Sequence, residues 1–361
     1  MTPATVAVQR RADAKLLVVD ASGTIRHHRR ADFPTLIDTG DLVIANDAAT
    51  LPASLFGVHV RTGAPIEVRL AGRRSLLPRD TRFTAVVFGT GDFHTPTEQR
   101  PLPPAVGTGD LLQLGPLHAV VVGVLGHPRL IEIGFQHSID EMWAGLARHG
   151  RPIQYAYLRE PLAIWDTWTQ IASLPVAFEA PSAGFMLDWR IIDAIRERGA
   201  RFATITHAAG ISSTGDADLD AQLPLDEPYF IPASTASLID DTCRHGGRII
   251  AIGTTVVRAL EDAAARDGHV RCGMGTATLL VNSRTPLRVV DSLVTGQHEP
   301  GTSHYELLRA FQDDEALERA IGEANAGAYR THEFGDSLFV ARSVRPQGQG
   351  LRPQACLRPE P

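Results

Sequence analysis

The run Gly246-Gly247-Arg248-Ile249-Ile250-Ala251-Ile252-Gly253-Thr254-Thr255-Val256-Val257-Arg258-Ala259-Leu260-Glu261 constrains the fold of this chain more than any other segment. Its β-branched stretch reads as a short buried strand, broken at Gly253. Val257, Ala259, Leu260 and Ala263 then fall at helical spacing. A strand, a glycine turn and a helix make one β-to-α unit of an α/β sheet. A helix whose first turn carries hydroxyls and free backbone N–H groups is also a place for an anion or a polar ligand. The same residues also read as an ordinary turn capped by Thr254 or Thr255, the commoner case for such spacing. Sequence spacing leaves both readings open.

Other segments extend the pattern. Lys15 to Asp20 and Asp41 to Asp47 read as strands, as do Phe202 to Thr206 and Leu287 to Val290. Ser138 to His149, Leu187 to Arg198 and Ser234 to His245 read as helices, the first with a Ser138/Glu141 capping box. Between Phe56 and Ile133 short β-rich pieces alternate with Gly/Pro turns, the signature of a small barrel or sandwich. The expected fold class is therefore α/β: a discontinuous α/β domain with a mainly parallel sheet (residues 1–57 and 138–342) and an inserted small β-barrel domain (58–137). The Pro/Gly/Gln/Arg-rich tail, 343–361, reads as disordered.

Composition excludes several function classes. With 361 residues, 43% hydrophobic and 21% charged, the chain has the make-up of a soluble globular protein. No apolar run reaches membrane-spanning length and Met1 to Arg11 lacks an apolar signal core, so a cytoplasmic protein without a membrane partner is expected. Cys243, Cys272 and Cys356 have no ligand-like spacing, and no His-Glu-x-x-His or Cys-x-x-Cys motif occurs, so no metal is expected. Lys15 is the only lysine, which rules out a Walker lysine and leaves no plausible Schiff-base residue. A net charge of −6 argues against a broadly basic nucleic-acid surface, though Arg26, Arg29 and Arg30 cluster, as do Arg69, Arg73 and Arg74.

The opening block closely resembles GGRVIAVGTTSVRTLES of the queuosine-pathway S-adenosylmethionine:tRNA ribosyltransferase-isomerase family. Ordered similarities run from about Ala14 to Ala341. Asp41 to Gly57, DLVIANDAATLPASLFG, is similar to GDLLVFNDTRVIPARLFG and keeps Asn46, Asp47, Pro52 and Ala53. Ala180-Pro181-Ser182-Ala183-Gly184 resembles APTAG, and Tyr329-Arg330 with Phe334-Gly335-Asp336 resembles YRFFSYGDA. The polar loops depart. HVGxGTF becomes His207-Ala208-Ala209-Gly210-Ile211-Ser212-Ser213, and MHSE becomes Pro224-Leu225-Asp226-Glu227. The Gly-x-Thr-Asp motif becomes Gly275-Thr276-Ala277-Thr278, and NFHLPxST becomes Gly296-Gln297-His298-Glu299-Pro300-Gly301-Thr302-Ser303.

The resemblance implies a transferase-isomerase that uses S-adenosylmethionine as co-substrate, with no separate cofactor. It would donate the ribosyl part to the aminomethyl group of a 7-deazaguanine in tRNA, giving epoxyqueuosine. Partners would be S-adenosylmethionine and tRNA, with a monomer favoured. Two alternatives remain: a paralogue with a small-molecule acceptor, and a non-catalytic S-adenosylmethionine-binding protein.

Candidate catalytic residues are His207, at the carboxyl end of a strand, His298 and Glu227. Glu227 is the candidate partner for a cationic ligand. Candidate binding residues are Asn46, Asp47, Pro181, Ser182, Gly184, Gly253, Thr254, Thr255, Arg258, Thr302 and Ser303. Each has a bland counterpart: a capped turn, a satisfied strand-end histidine, a surface carboxylate. Trp143, Trp165, Trp168 and Trp189 read as core or interface anchors, and the Trp165/Trp168 pair also as an aromatic platform for a base.

Overall fold

A computed structural model describes residues 1–343. The tail expected to be disordered lies, beyond Ser343, outside the described residues.

A nine-stranded sheet runs in the order Gly273–Ala277, Glu227–Ile231, Arg201–His207, Leu42–Asn46, Ile249–Ile252, Ser292–Gly296, Ser337–Ala341, Lys15–Val19, Ile25–Arg29. Parallel pairings hold its centre, where Ile44 lies opposite Ala203 on one side and Ala251 on the other. Antiparallel pairings close the edges. The central strands are buried at every position, as a sheet covered on both faces requires. Period-two alternation divides them between two cores. Leu17, Leu42, Ile44, Ile249 and Ala251 face the helices Ala233–Arg244, Thr254–Asp267 and Asp314–Ala326. Leu16, Val43, Ala45, Ile250 and Ile252 face the helix Trp189–Glu197 and the 3-10 turn Arg30–Leu36.

The expected small β domain is a closed six-stranded antiparallel barrel, built from strands between Ser54–His59 and Leu130–Phe135. Its first strand crosses the residue-57 boundary drawn from the sequence. Closure needs Gly57, because a Cβ there would collide with the Gln113 carbonyl of the facing strand. On the outer face of the barrel, opposite the core-facing Ile66 and Val68, the buried Glu67 accepts from the Ser54 hydroxyl at 2.7 Å, Arg69 Nε at 2.7 Å and Arg100 Nη1 at 2.6 Å.

Three expectations need correction. Leu287 to Val290 is not a strand; the strand is Ser292–Gly296. The backbone N–H groups of Arg288, Val289 and Val290 instead converge on the buried Glu261 carboxylate at 2.7, 3.0 and 2.9 Å. Neither Thr254 nor Thr255 caps its helix: Gly253 is the N-cap, and no side chain among the described residues bonds the freed N–H groups. Of the tryptophans expected as core or interface anchors, Trp143 packs, partly buried, against the barrel core, whereas Trp165, Trp168 and Trp189 are exposed, which removes only the core reading for those three.

Candidate functional site

The parallel strands Arg201–His207, Ile249–Ile252 and Ser292–Gly296 deliver their following loops to one sheet edge, where ligands of open α/β sheets bind. There a cleft of about 830 Å³ opens, within the size range of small-molecule sites. Its wall at Ile211 and Leu223 packs against Val86 and Phe88 of the barrel, so the barrel supports one side.

Gly253 turns the chain from strand to helix at φ +100°, ψ 147°, a conformation essentially reserved for glycine. The helix Thr254–Asp267 therefore starts at the cleft with its first-turn N–H groups free of side-chain caps. Pro181 and Ser182 lie beside it, and a Cβ on Gly253 would sit 3.5 Å from Ala183 Cβ. Thr254 is buried and Thr255 half-buried, and both line the cleft.

One turn further, Arg258 reaches across to Glu227. It donates to that carboxylate through Nη1 and to the Leu225 and Ala277 carbonyls through Nη2, the latter at 3.3 and 3.1 Å. The other Glu227 oxygen accepts from Gly210 N at 2.6 Å. Burial pushes the Glu227 carboxyl above its ordinary range, against the opposing pull of Arg258 and the Gly210 N–H. Glu227 lines the cleft but already has its cation, which argues against it as the partner for a positively charged ligand. Asp226 is exposed.

His207 lies behind that pair, fully buried and off the cleft wall. Its Nε2 is 3.5 Å from Glu227 Oε2, yet neither ring nitrogen makes a hydrogen bond among the described residues. Burial, aided by Arg258, holds it well below the usual histidine range, so it is neutral. Asn46 fixes this strand end: its Oδ1 accepts from His207 N and its Nδ2 donates to His207 O, each at 2.9 Å. Asp47 accepts from the Thr204 and Thr206 hydroxyls at 2.9 and 2.6 Å. Gly184 is buried against Thr169. His207, Asn46, Asp47 and Gly184 thus stand outside the cleft wall, in supporting positions.

His298 does line the cleft, accompanied by a histidine that the sequence reading passed over. Its ring stacks on His304 at 4.8 Å, and its Nε2 lies 2.7 Å from the Thr295 hydroxyl. Burial pushes His304 down to about 4, and burial with His304 and His332 nearby pushes His298 well below the usual range. Both are neutral and weakly basic near pH 7. Thr302 caps the short helix Ser303–Leu308, its Oγ1 accepting from Tyr305 N at 3.2 Å and donating to Glu299 O at 2.8 Å. Ser303 is half-buried at the wall.

Sequence reading also missed Glu179 and Glu333, which line the cleft and form no salt bridge among the described residues, although Arg69 acts on Glu179 electrostatically. Tyr155 donates its hydroxyl to Glu179, and Tyr157 donates to Glu333. The two tyrosine rings stack at 6.0 Å, and Tyr157 stacks on His332 at 4.2 Å. Burial raises the Glu179 carboxyl to about 7, against hydrogen bonds from Ser212 and Tyr155 and with a smaller push from Glu333. The available signal was a lone carboxylate ending the apolar run Val176-Ala177-Phe178, just before Ala180-Pro181.

Comparison with known proteins places this architecture. A family model described as queuosine biosynthesis protein matches residues 2–340. The chain is 32% identical over 343 residues to the S-adenosylmethionine:tRNA ribosyltransferase-isomerase of Azoarcus sp. (strain BH72), covering 92% of each chain. It is 31% identical to the protein of that name from Geobacter sulfurreducens, covering 92% of this chain and 94% of that one. In fold it resembles the crystal structure of S-adenosylmethionine tRNA ribosyltransferase from Thermotoga maritima, with a TM-score of 0.50 and 24% identity over 93% of this chain and 95% of that chain. Among the described residues no helix is long and apolar enough to cross a membrane.

Proposed function

The chain belongs to the queuosine biosynthesis protein family, and on that premise we propose that it is an S-adenosylmethionine:tRNA ribosyltransferase-isomerase. It transfers the ribosyl part of S-adenosylmethionine to the aminomethyl group of 7-aminomethyl-7-deazaguanine in tRNA and rearranges it to epoxyqueuosine, releasing adenine and methionine. S-adenosylmethionine serves as a co-substrate, and the reading calls for no other cofactor.

The observation that carries this reading is the cleft. It gathers Gly253, Thr254, Thr255, Glu227, Arg258 and His298 at one sheet edge, with space for a nucleoside-sized donor. The uncapped helix start offers N–H groups and a positive dipole end to the donor's carboxylate. Glu179 and Glu333, carboxylates that form no salt bridge among the described residues, face the same space and suit a sulfonium.

Purified protein incubated with S-adenosylmethionine and tRNA carrying the aminomethyl intermediate should release adenine. No release, beside an active family member under the same conditions, would sink the assignment. A net charge of −6 favours one rival reading, a small-molecule acceptor. Titration with bulk tRNA separates the two, because an enzyme acting on tRNA binds it at low salt and loses affinity steeply as salt rises.

A further inference from the structure

The sulfonium acidifies the ribose carbon bonded to it, so under the ribosyltransferase reading the transfer and rearrangement open with a base that removes a proton there. Sequence reading offered His207 and His298. His207 has no face on the cleft, and its ring is sealed behind Glu227. His298 is stacked on His304 and engaged with Thr295. Glu227 is neutralised by Arg258. Of the other titratable groups on the wall, Glu306 is paired with Arg309, Glu299 is exposed, His304 is held down at about 4 and His332 is stacked on Tyr157. That leaves the two tyrosine-bound carboxylates, and Glu179 is the more firmly oriented of the two. It takes a hydrogen bond from the Tyr155 hydroxyl, Ser212 favours its ionised form, and it directly precedes the segment packed on the helix start at Gly253.

Building on the ribosyltransferase reading, we propose that Glu179 is the general base of this cleft, with Tyr155 and Glu333 as positioning residues that set its basicity. The C–H bond of the ribose carbon next to sulfur breaks and an O–H bond forms on Glu179. The electron pair stays on carbon beside the sulfonium, so the carboxylate and the sulfonium lose their net charges together. A base works best when its pKa sits near the operating pH. Burial holds Glu179 at about 7, where His304 sits at about 4. Tyr155 stabilises the ionised carboxylate by donating to it, and the nearby Glu333 destabilises it.

The test uses the full chain and two readouts. The first is adenine release with S-adenosylmethionine and intermediate-bearing tRNA, followed against pH. The second needs no acceptor: deuterium wash-in from D2O at the ribose carbon next to sulfur, with S-adenosylmethionine alone. Glu179→Gln should fold, bind S-adenosylmethionine by calorimetry, and lose about 10²–10⁴-fold in both readouts. Tyr155→Phe should move the acidic limb of the rate profile to higher pH and Glu333→Gln should move it to lower pH, opposite shifts that loss of packing would not give. Retained activity with an unchanged limb in Glu179→Gln overturns the proposal and leaves the family activity standing. Glu179-dependent wash-in without adenine release overturns the tRNA reaction and leaves the base in place. A wild-type protein that binds S-adenosylmethionine yet shows neither readout overturns both.

Discussion

Arg258 and Glu227 close the inner wall of the cleft as a buried ion pair, with Gly210 N–H holding the second carboxylate oxygen at 2.6 Å. That contact joins the helix Thr254–Asp267, the strand Glu227–Ile231 and the loop after His207. Removing one partner strands a buried charge, whereas removing both does not. Arg258→Met should therefore cost about 3–5 kcal/mol in urea unfolding. The double variant Arg258→Met/Glu227→Met should recover much of that loss. If the two single losses simply add in the double variant, the pair is not the coupling element described here.

Gly253→Ala separates conformation from crowding. An added Cβ would meet Ala183 Cβ and Thr255 Oγ1 only at 3.5 Å, which is ordinary contact. The cost comes from φ +100°, where side-chain-bearing residues are strained by about 1–3 kcal/mol. Thermal unfolding should show that loss with the fold retained. A neutral substitution would mean that the turn relaxes and that the helix start is not pinned where the cleft needs it.

Glu261 tests a segment that local pattern misjudged. Its carboxylate gathers three N–H groups from Arg288 to Val290 within a nearly solvent-free site. Glu261→Ala should leave those donors unpaired, at about 1–3 kcal/mol for each one that water cannot reach. Glu261→Gln retains one acceptor oxygen and should lose less. Amide exchange at Val289 and Val290 reports the effect directly, and protection that survives Glu261→Ala would contradict it.

The same residues show why some of the structure was legible in sequence and some was not. The strand at Ile249, the turn at Gly253 and the helix that follows are local facts, written in β-branched runs, a glycine and a 3.6-residue period. The alternation of Leu16, Leu17, Val18 and Val19 between two cores is equally local in origin. Leu287 to Val290 has a strand's composition, but its N–H groups are claimed by a carboxylate 27 to 29 residues earlier in the chain. No window of neighbouring residues contains that information. The site divides in the same way. Gly253, Thr254 and Thr255 advertise a helix start, whereas Glu179 meets Tyr155 and Ser212 only through the tertiary fold. His207 erred in the other direction: its strand-end position suggested exposure at the sheet edge, but Glu227 and Arg258 cover it.

Glu179 also leaves a mark on stability, independent of any substrate. Its folded pKa is raised, from an ordinary 4.5 to about 7, chiefly by burial. A carboxyl raised in the folded state binds its proton more tightly there than in the unfolded chain. Its stabilising contribution is therefore fully present below about pH 4.5 and is lost as the pH rises through about 7. Glu179→Gln carries no such charge, and its amide oxygen still accepts from Tyr155. The variant should gain on the wild type by about 1–3 kcal/mol between pH 4.5 and pH 8, the full shift being discounted for partial exposure. Thermal unfolding of both proteins across that window measures the difference, with contributions common to both cancelling. Parallel stability curves would mean that Glu179 ionises as a solvated carboxylate, which would remove the physical basis for its role as the base.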